Sequence, residues 1–355
     1  MPKIVNINVN KIRVIFFINT YSDYLNDFIK SISTIFEVRV ILTSLNNKNT
    51  SYTKFIDKKV YYSLCDHNLK SELKRYNPNF VIIGGYKHKK IKLLIDFCKK
   101  NNTKYLFWLE RINKNFPFKL FLFKILYGNR IRNSNGVLAI GNEAYKFYKQ
   151  FQKNTFKLPY SIDVKKFKKP KLQKKTNFIF VGQFIERKGI QSILDSFDHL
   201  NKNIKDNIKF TFIGKGPLKK KILNKSKEYN FIKLRKFMNV KNLINVLSNN
   251  KILLFPSNYD GWGVAPMEAM SAKMALIISK NCGINEYLSK SDNAIFTDVE
   301  PKNIAKAMSY YFFNKNKIYL HGKNNLKLIK KSLLNSINSS KNFTTIIKKL
   351  NSDKK

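Results

Sequence analysis

Apolar residues along the chain fall into short β-branched and aromatic runs separated by helix-length stretches of amphipathic spacing. That alternation predicts a parallel α/β fold. In the first half, strands are predicted at 13–18, 38–43, 80–84, 105–108 and 136–140, with helices at 23–36, 91–100 and 142–151. The series stops at Leu158-Pro159-Tyr160. Residues 165–175, with seven Lys in eleven positions and Pro170 among them, have no apolar face to bury and predict an exposed basic linker. A second series follows, with strands predicted at 177–181, 209–214, 232–234, 252–256 and 275–279. Farther on, Leu326, Ile329 and Leu333, then Phe343, Ile346, Ile347 and Leu350, keep a helical spacing. The chain thus divides into an α/β domain at 1–164, the linker, a second α/β domain at 176–322, and terminal helices at 323–355 that pack back on the body.

With 355 residues, 43% of them hydrophobic, the chain is long enough for two cores and too apolar to be disordered as a whole. Cys65, Cys98 and Cys282 form no CxxC pair and read as ordinary thiols of a reducing compartment. The formal charge of +46 invites a nucleic-acid reading, but its texture argues against one. Only eight of the 68 basic residues are Arg, the side chain that forks best onto bases and phosphates, and Lys is spread along the whole sequence beside Asn and Ile. A proteome-wide bias toward Lys and Asn comes first, an anionic membrane surface second and nucleic acid third, so no nucleic-acid partner is expected. No secretory leader follows Met1-Pro2-Lys3, and no apolar run of about 18 residues would span a bilayer. A soluble, cytoplasmic protein is expected, with a peripheral position on the inner face of the plasma membrane as the variant.

Three segments carry the candidate chemistry. In the first, an apolar strand ends at Pro256-Ser257 and leads into Asn258-Tyr259-Asp260-Gly261-Trp262-Gly263-Val264-Ala265-Pro266-Met267-Glu268. Asp260 then lies at a strand's carboxyl end, where open α/β sheets bind ligands, while Pro266 and Glu268 suit the first turn of a helix. Two carboxylates converging beside free amides and a helix dipole can accept polyol hydroxyls and hold a phosphate. A plain capped loop is the alternative. The second segment, Gly182-Gln183-Phe184-Ile185-Glu186-Arg187-Lys188-Gly189, puts cations just before a helix and can seat a diphosphate. Solvated turn charges would look the same. The third, Gly214-Lys215-Gly216-Pro217, is a strand-to-helix turn that can approach a base or phosphate.

Together these segments resemble the donor domain of glycosyltransferase family 4 (group 1) enzymes of the GT-B fold, in which two Rossmann-like domains face a central cleft. Asp260-x7-Glu268 is similar to that family's E-x7-E motif, with Asp in place of the first Glu. The resemblance implies that Glu268 holds the donor ribose, and that Asp260 with the backbone of Gly261, Trp262, Gly263 and Val264 holds the sugar hydroxyls. It also implies that Lys188 neutralises the diphosphate, with Gly182, Gln183, Arg187, Gly214, Lys215, Gly216 and Phe237 completing the donor site. Gln183 stands where many members have Arg. On the acceptor side, Glu110 is the candidate polar group, with a surface salt bridge to Arg111 or a nearby Lys as its other reading. Of His67, His88, His199 and His321, none matches the family's cleft His.

The implied reaction is transfer of a hexosyl group from a nucleoside-diphosphate sugar to a glycan or lipid-linked acceptor in cell-surface polysaccharide or glycolipid synthesis. Retention of configuration follows from the resemblance alone. No cofactor or metal is expected, since the sequence has no Asp-x-Asp pair and no His/Cys cluster. The alternative is a catalytically decayed GT-B protein serving as a basic, membrane- or partner-binding subunit. A dinucleotide oxidoreductase is disfavoured, because no G-x-G-x-x-G follows either first strand. Residues 116–127, apolar almost all round and flanked by Arg111, Lys114, Arg130 and Arg132, read as a helix buried in the first domain; contact with anionic lipid is the other reading.

Overall fold

The computed structural model describes residues 11–43, 61–64, 69–113, 117–167, 176–289 and 292–352. Most of the basic linker, together with Cys65, His67, Lys114 and Phe116, lies outside the described residues. The N-terminal sheet contains β1 (Arg13–Ile18), β2 (Glu37–Leu42), β3 (Tyr61–Leu64), β4 (Phe80–Gly84), β5 (Lys104–Glu110), β6 (Gly136–Ile140) and β7 (Thr155–Lys157). The C-terminal sheet contains β8 (Thr176–Val181), β9 (Ile208–Gly214), β10 (Ile232–Lys236), β11 (Ile252–Phe255), β12 (Ala275–Ser279) and β13 (Ile295–Thr297). Every strand pairing is parallel, in the orders β3-β2-β1-β4-β5-β6-β7 and β10-β9-β8-β11-β12-β13. Strand order therefore reverses beside β1 and β4 in one sheet and beside β8 and β11 in the other, and such reversals open a crevice at the strands' carboxyl ends.

Central strands such as Val14–Phe17 and Phe80–Ile83 are apolar on both faces because helices cover both. One core lies under the outer face of each sheet. The inner faces share a single continuous cluster running from Phe16 and Trp108 to Trp262, Met267 and Ile284. The chain crosses between the domains twice, and the two crossings touch. Ile162 donates to the Leu334 carbonyl at 2.9 Å, and Ser336 donates back to Ile162 at 3.0 Å.

The helix Lys315–Lys331 packs beside β12, whereas the helix Ser336–Ser352 returns to the N-terminal domain. There Phe343, fully buried, meets the rings of Phe16, Phe28 and Phe36 at centroid distances of 5.5–5.9 Å. The helix Pro117–Arg132 departs from the expectation of a buried element. Phe123 and Ile131 are in the core, but the opposite face is open to solvent. A helix apolar all round needs apolar cover on both faces, and among the described residues only the Phe123–Ile131 face of this one enters a core.

Candidate active site

Why Lys188 and Asp260 meet follows from topology. The loops after β8 and β11 leave adjacent strands at the point of reversal. The Lys188 Nζ forms an ion pair with Asp260 Oδ2, and the two side chains keep only 12% and 14% of their exposure. Arg187 lies 3.9 Å from the same oxygen and donates to the Tyr259 carbonyl. Asp260 Oδ1 accepts the Trp262 amide at 3.1 Å, which fixes the loop as an Asx-type turn. The Lys188 ammonium also stands 4.8 Å over the Phe255 ring.

The N-terminal domain closes this group from the other side. Glu110, at the carboxyl end of β5, accepts the Tyr160 hydroxyl at 2.9 Å rather than pairing with Arg111. Its carboxylate presses so closely on Gly261 that a Cβ there would collide with it. Burial raises the Glu110 pKa, with Asp260 adding to the shift against Tyr160, Arg111 and Arg187. Arg111 is spent elsewhere. Its guanidinium donates to the Asp260 carbonyl at 2.7 Å and to the Asn281 carbonyl, and stacks 4.8 Å from the Tyr259 ring.

Sequence reasoning did not assign Arg111, Tyr160 or Tyr259 a site role. Neighbouring Arg and Glu in sequence suggested a pair, while the structure aims the two side chains at different parts of the opposite domain. A cavity of about 860 Å³ opens beside Glu110, walled by Tyr24, Tyr86, Tyr160 and Tyr259 among others.

Glu268 answers to a different set of charges from the Lys188–Asp260 pair. It lies within the helix Val264–Ser271, and the charges that act on it are Asp23 and Asp27 of the N-terminal domain. Its pKa is pushed up to about 8, first by burial and then by those two carboxylates. Asp27 pairs with Lys166 of the first crossing and is itself raised, mainly by burial.

A carboxyl raised on folding is neutral in the native state over a range where the unfolded chain ionises. Its contribution is complete below the ordinary carboxylate pKa and is lost as pH climbs towards 8. Glu268→Gln is therefore expected to flatten the loss of stability between about pH 5 and pH 8, by an amount on the order of a few kcal/mol. Urea melts of parent and variant at both pH values check this. Parallel curves with the same pH slope would contradict it.

The remaining donor-side candidates divide. Gln183 and Lys215 are exposed at the ends of β8 and β9, and Lys215 Nζ stands 5.4 Å over the half-exposed ring of Phe237. Gly214 and Gly216 have a packing role. A Cβ at Gly214 would strike the Gly182 carbonyl, and one at Gly216 the backbone of Phe184, so the two turns lie back to back. Gly263 precedes the helix that Val264 begins. The Trp262 side chain is buried, donating its indole N–H to Met267 Sδ at 3.1 Å and facing Tyr287. His88 packs on Phe17, His321 bonds Tyr311 and lies 2.9 Å from an Asp292 carboxylate oxygen, and His199 is exposed. Cys98 and Cys282 are buried thiols, both pushed up to about 12 by burial.

Comparison with known proteins bears on the same region. Residues 161–327 match the family described as glycosyl transferases group 1. The capsular polysaccharide biosynthesis glycosyltransferase CapH of Staphylococcus aureus is 26% identical over 212 residues, which are 58% of this chain and 57% of that protein. The chain thus spans little more than half of this curated relative. Among solved structures, sucrose-phosphate synthase from Thermosynechococcus elongatus superposes with a TM-score of 0.75 at 13% identity, over 96% of this chain and 99% of that one. Anabaena HepE in complex with UDP also gives 0.75, at 10% identity, over 95% of this chain and all of its own. The described residues have the two-domain GT-B fold, and residues 161–327, which hold Lys188, Asp260 and Glu268, are the part that matches the glycosyl transferases group 1 family.

Proposed function

We propose that this protein is a retaining, metal-independent hexosyltransferase of glycosyltransferase family 4. It would move a sugar from a nucleoside-diphosphate sugar to a glycan or lipid-linked acceptor in cell-surface polysaccharide or glycolipid synthesis, at the cytoplasmic side of the membrane. The observation that carries this reading is the meeting of Lys188 and Asp260 at the strand-order reversal, with Glu110 facing them from the other domain. The chemical difficulty of such a transfer is charge, because the diphosphate leaves as an oxocarbenium-like centre forms. In the donor complex Lys188 turns its ammonium to the departing diphosphate, with Arg187 beside it. Asp260, released from the ion pair, accepts sugar hydroxyls. Donors placed in advance at a developing anion are each worth about 3 kcal/mol. Glu110, half out of water and held by Tyr160, lies at the acceptor cavity and fixes an acceptor hydroxyl.

A thermal-shift panel of uridine, guanosine and adenosine diphosphates and their sugars tests the reading. A ligand present at 100 times its Kd is expected to stabilise the native state by about 2.7 kcal/mol, seen as a raised Tm. No shift with any member of the panel would overturn the transferase. A shift without donor turnover would favour the decayed subunit, for which exposed Gln183 in place of a cation is the supporting feature.

A further inference from the structure

We infer that the helix Pro117–Arg132 docks this domain on an anionic bilayer, with the Glu110 cavity opening at the membrane surface. This deepens the transferase reading and rests on it for the acceptor, which would then be lipid-linked. Phe118, Phe121, Leu122, Ile125 and Leu126 are 37–71% exposed, although each is a large apolar side chain. Their spacing places all five within about 140° of the helix circumference. The opposite side is already occupied by the domain core through Phe123 and Ile131. The exposed stripe is therefore surplus to folding.

Charge decides what covers it. Lys124 and Arg130 border the stripe on its two sides, Arg132 follows at its end, and all three are exposed. The chain as a whole carries +46, so a second copy would bring like charge to this face, while anionic lipid supplies the opposite sign. A helix of 16 residues is about 24 Å long and apolar on one exposed stripe, so it lies in the interface rather than crossing. Among the described residues, no helix is long and apolar enough to cross a membrane.

The position of the helix links docking to chemistry. Leu122 and Leu126 belong both to the exposed stripe and to the wall of the 860 Å³ cavity that contains Glu110 and Tyr160. An acceptor whose anchor stays in the bilayer could thus present its headgroup to Glu110 beside the helix that holds the enzyme down.

The test is flotation with vesicles of phosphatidylcholine alone and of phosphatidylcholine with about 30 mol% phosphatidylglycerol. The parent is expected to float with the anionic vesicles, and the F121S/I125S double variant to partition at least ~10-fold less. Neither residue borders the cavity, so the nucleotide-induced Tm shift of the double variant should stay as in the parent, which separates failure of docking from failure of the donor reading. Both native Trp are buried, so a Phe121→Trp variant gives a clean signal, expected to shift to the blue on adding anionic vesicles. Undiminished flotation of the double variant, or an unshifted Phe121→Trp spectrum, would overturn the inference and leave charge alone as the cause of binding. So would conversion of a dimer to a monomer in sedimentation without any vesicle binding.

Discussion

Lys188→Met is expected to lower sugar transfer by roughly 10²–10³-fold while leaving the fold in place. Methionine keeps the side-chain stem against Phe255 but withdraws the cation, so stability loses mainly one partner of a largely buried ion pair. Asp260 retains the Trp262 amide at 3.1 Å and Arg187 at 3.9 Å, which limits the cost of its unpaired charge. Transfer loses more, because a charge aimed at the leaving diphosphate matters most when that group has taken up its negative charge. Lys188→Arg should recover little, since a planar fork does not replace a compact ammonium in a space closed by Phe255 and Asp260. Initial rates of nucleotide release with saturating donor, alongside Tm, measure both halves of the claim. A variant that turns over near the parental rate would remove Lys188 from the chemistry.

Phe343→Ala is expected to cost about 3–5 kcal/mol of stability, although residue 343 is distant in sequence from the domain it supports. The ring is fully buried and touches three others, Phe16, Phe28 and Phe36, that belong to the first 36 residues. Its loss leaves a void in the inner core of the N-terminal domain that neighbouring helices cannot collapse to fill. Phe313→Ala serves as the control. That ring is 62% exposed on the helix Pro301–Phe313, and its truncation should change the melting curve little. Urea denaturation of both variants settles the difference. Equal effects would mean that the returning helix is not part of that core.

Much of this architecture was legible in the sequence, and the exceptions have a common cause. Strands in the middle of the sheets announced themselves, because burial on both faces demands unbroken apolar runs such as Val14–Phe17 and Ile252–Phe255. The strands missed were β3, β7 and β13, each three or four residues long and each at a sheet edge. An edge strand is held by one neighbour's ladder and needs little side-chain pattern of its own.

The candidate site divides in the same way. Lys188 and Asp260 could be placed together because strand order and loop position bring them there. The charges that act on Glu268, those of Asp23 and Asp27 in the other domain, could not be read from its sequence neighbourhood. Arg111, Tyr160 and Tyr259 were given no role, although Tyr259 stands inside the Asp260 segment. They matter only because the domains face each other, and local sequence holds no trace of that. The helix Pro117–Arg132 failed in the reverse direction: its composition promised two buried faces, and only the assembled fold shows that one stays open.

The returning helix has a consequence for synthesis. Ser31 and Ser336, 305 positions apart, are bonded across its contact with the first domain. A ribosome therefore releases the whole N-terminal sheet long before the piece that shields its inner aromatic surface. Until residue 343 emerges, Phe16, Phe28 and Phe36 lack the ring that completes their cluster, so the N-terminal domain is finished only after the C-terminal domain has been made.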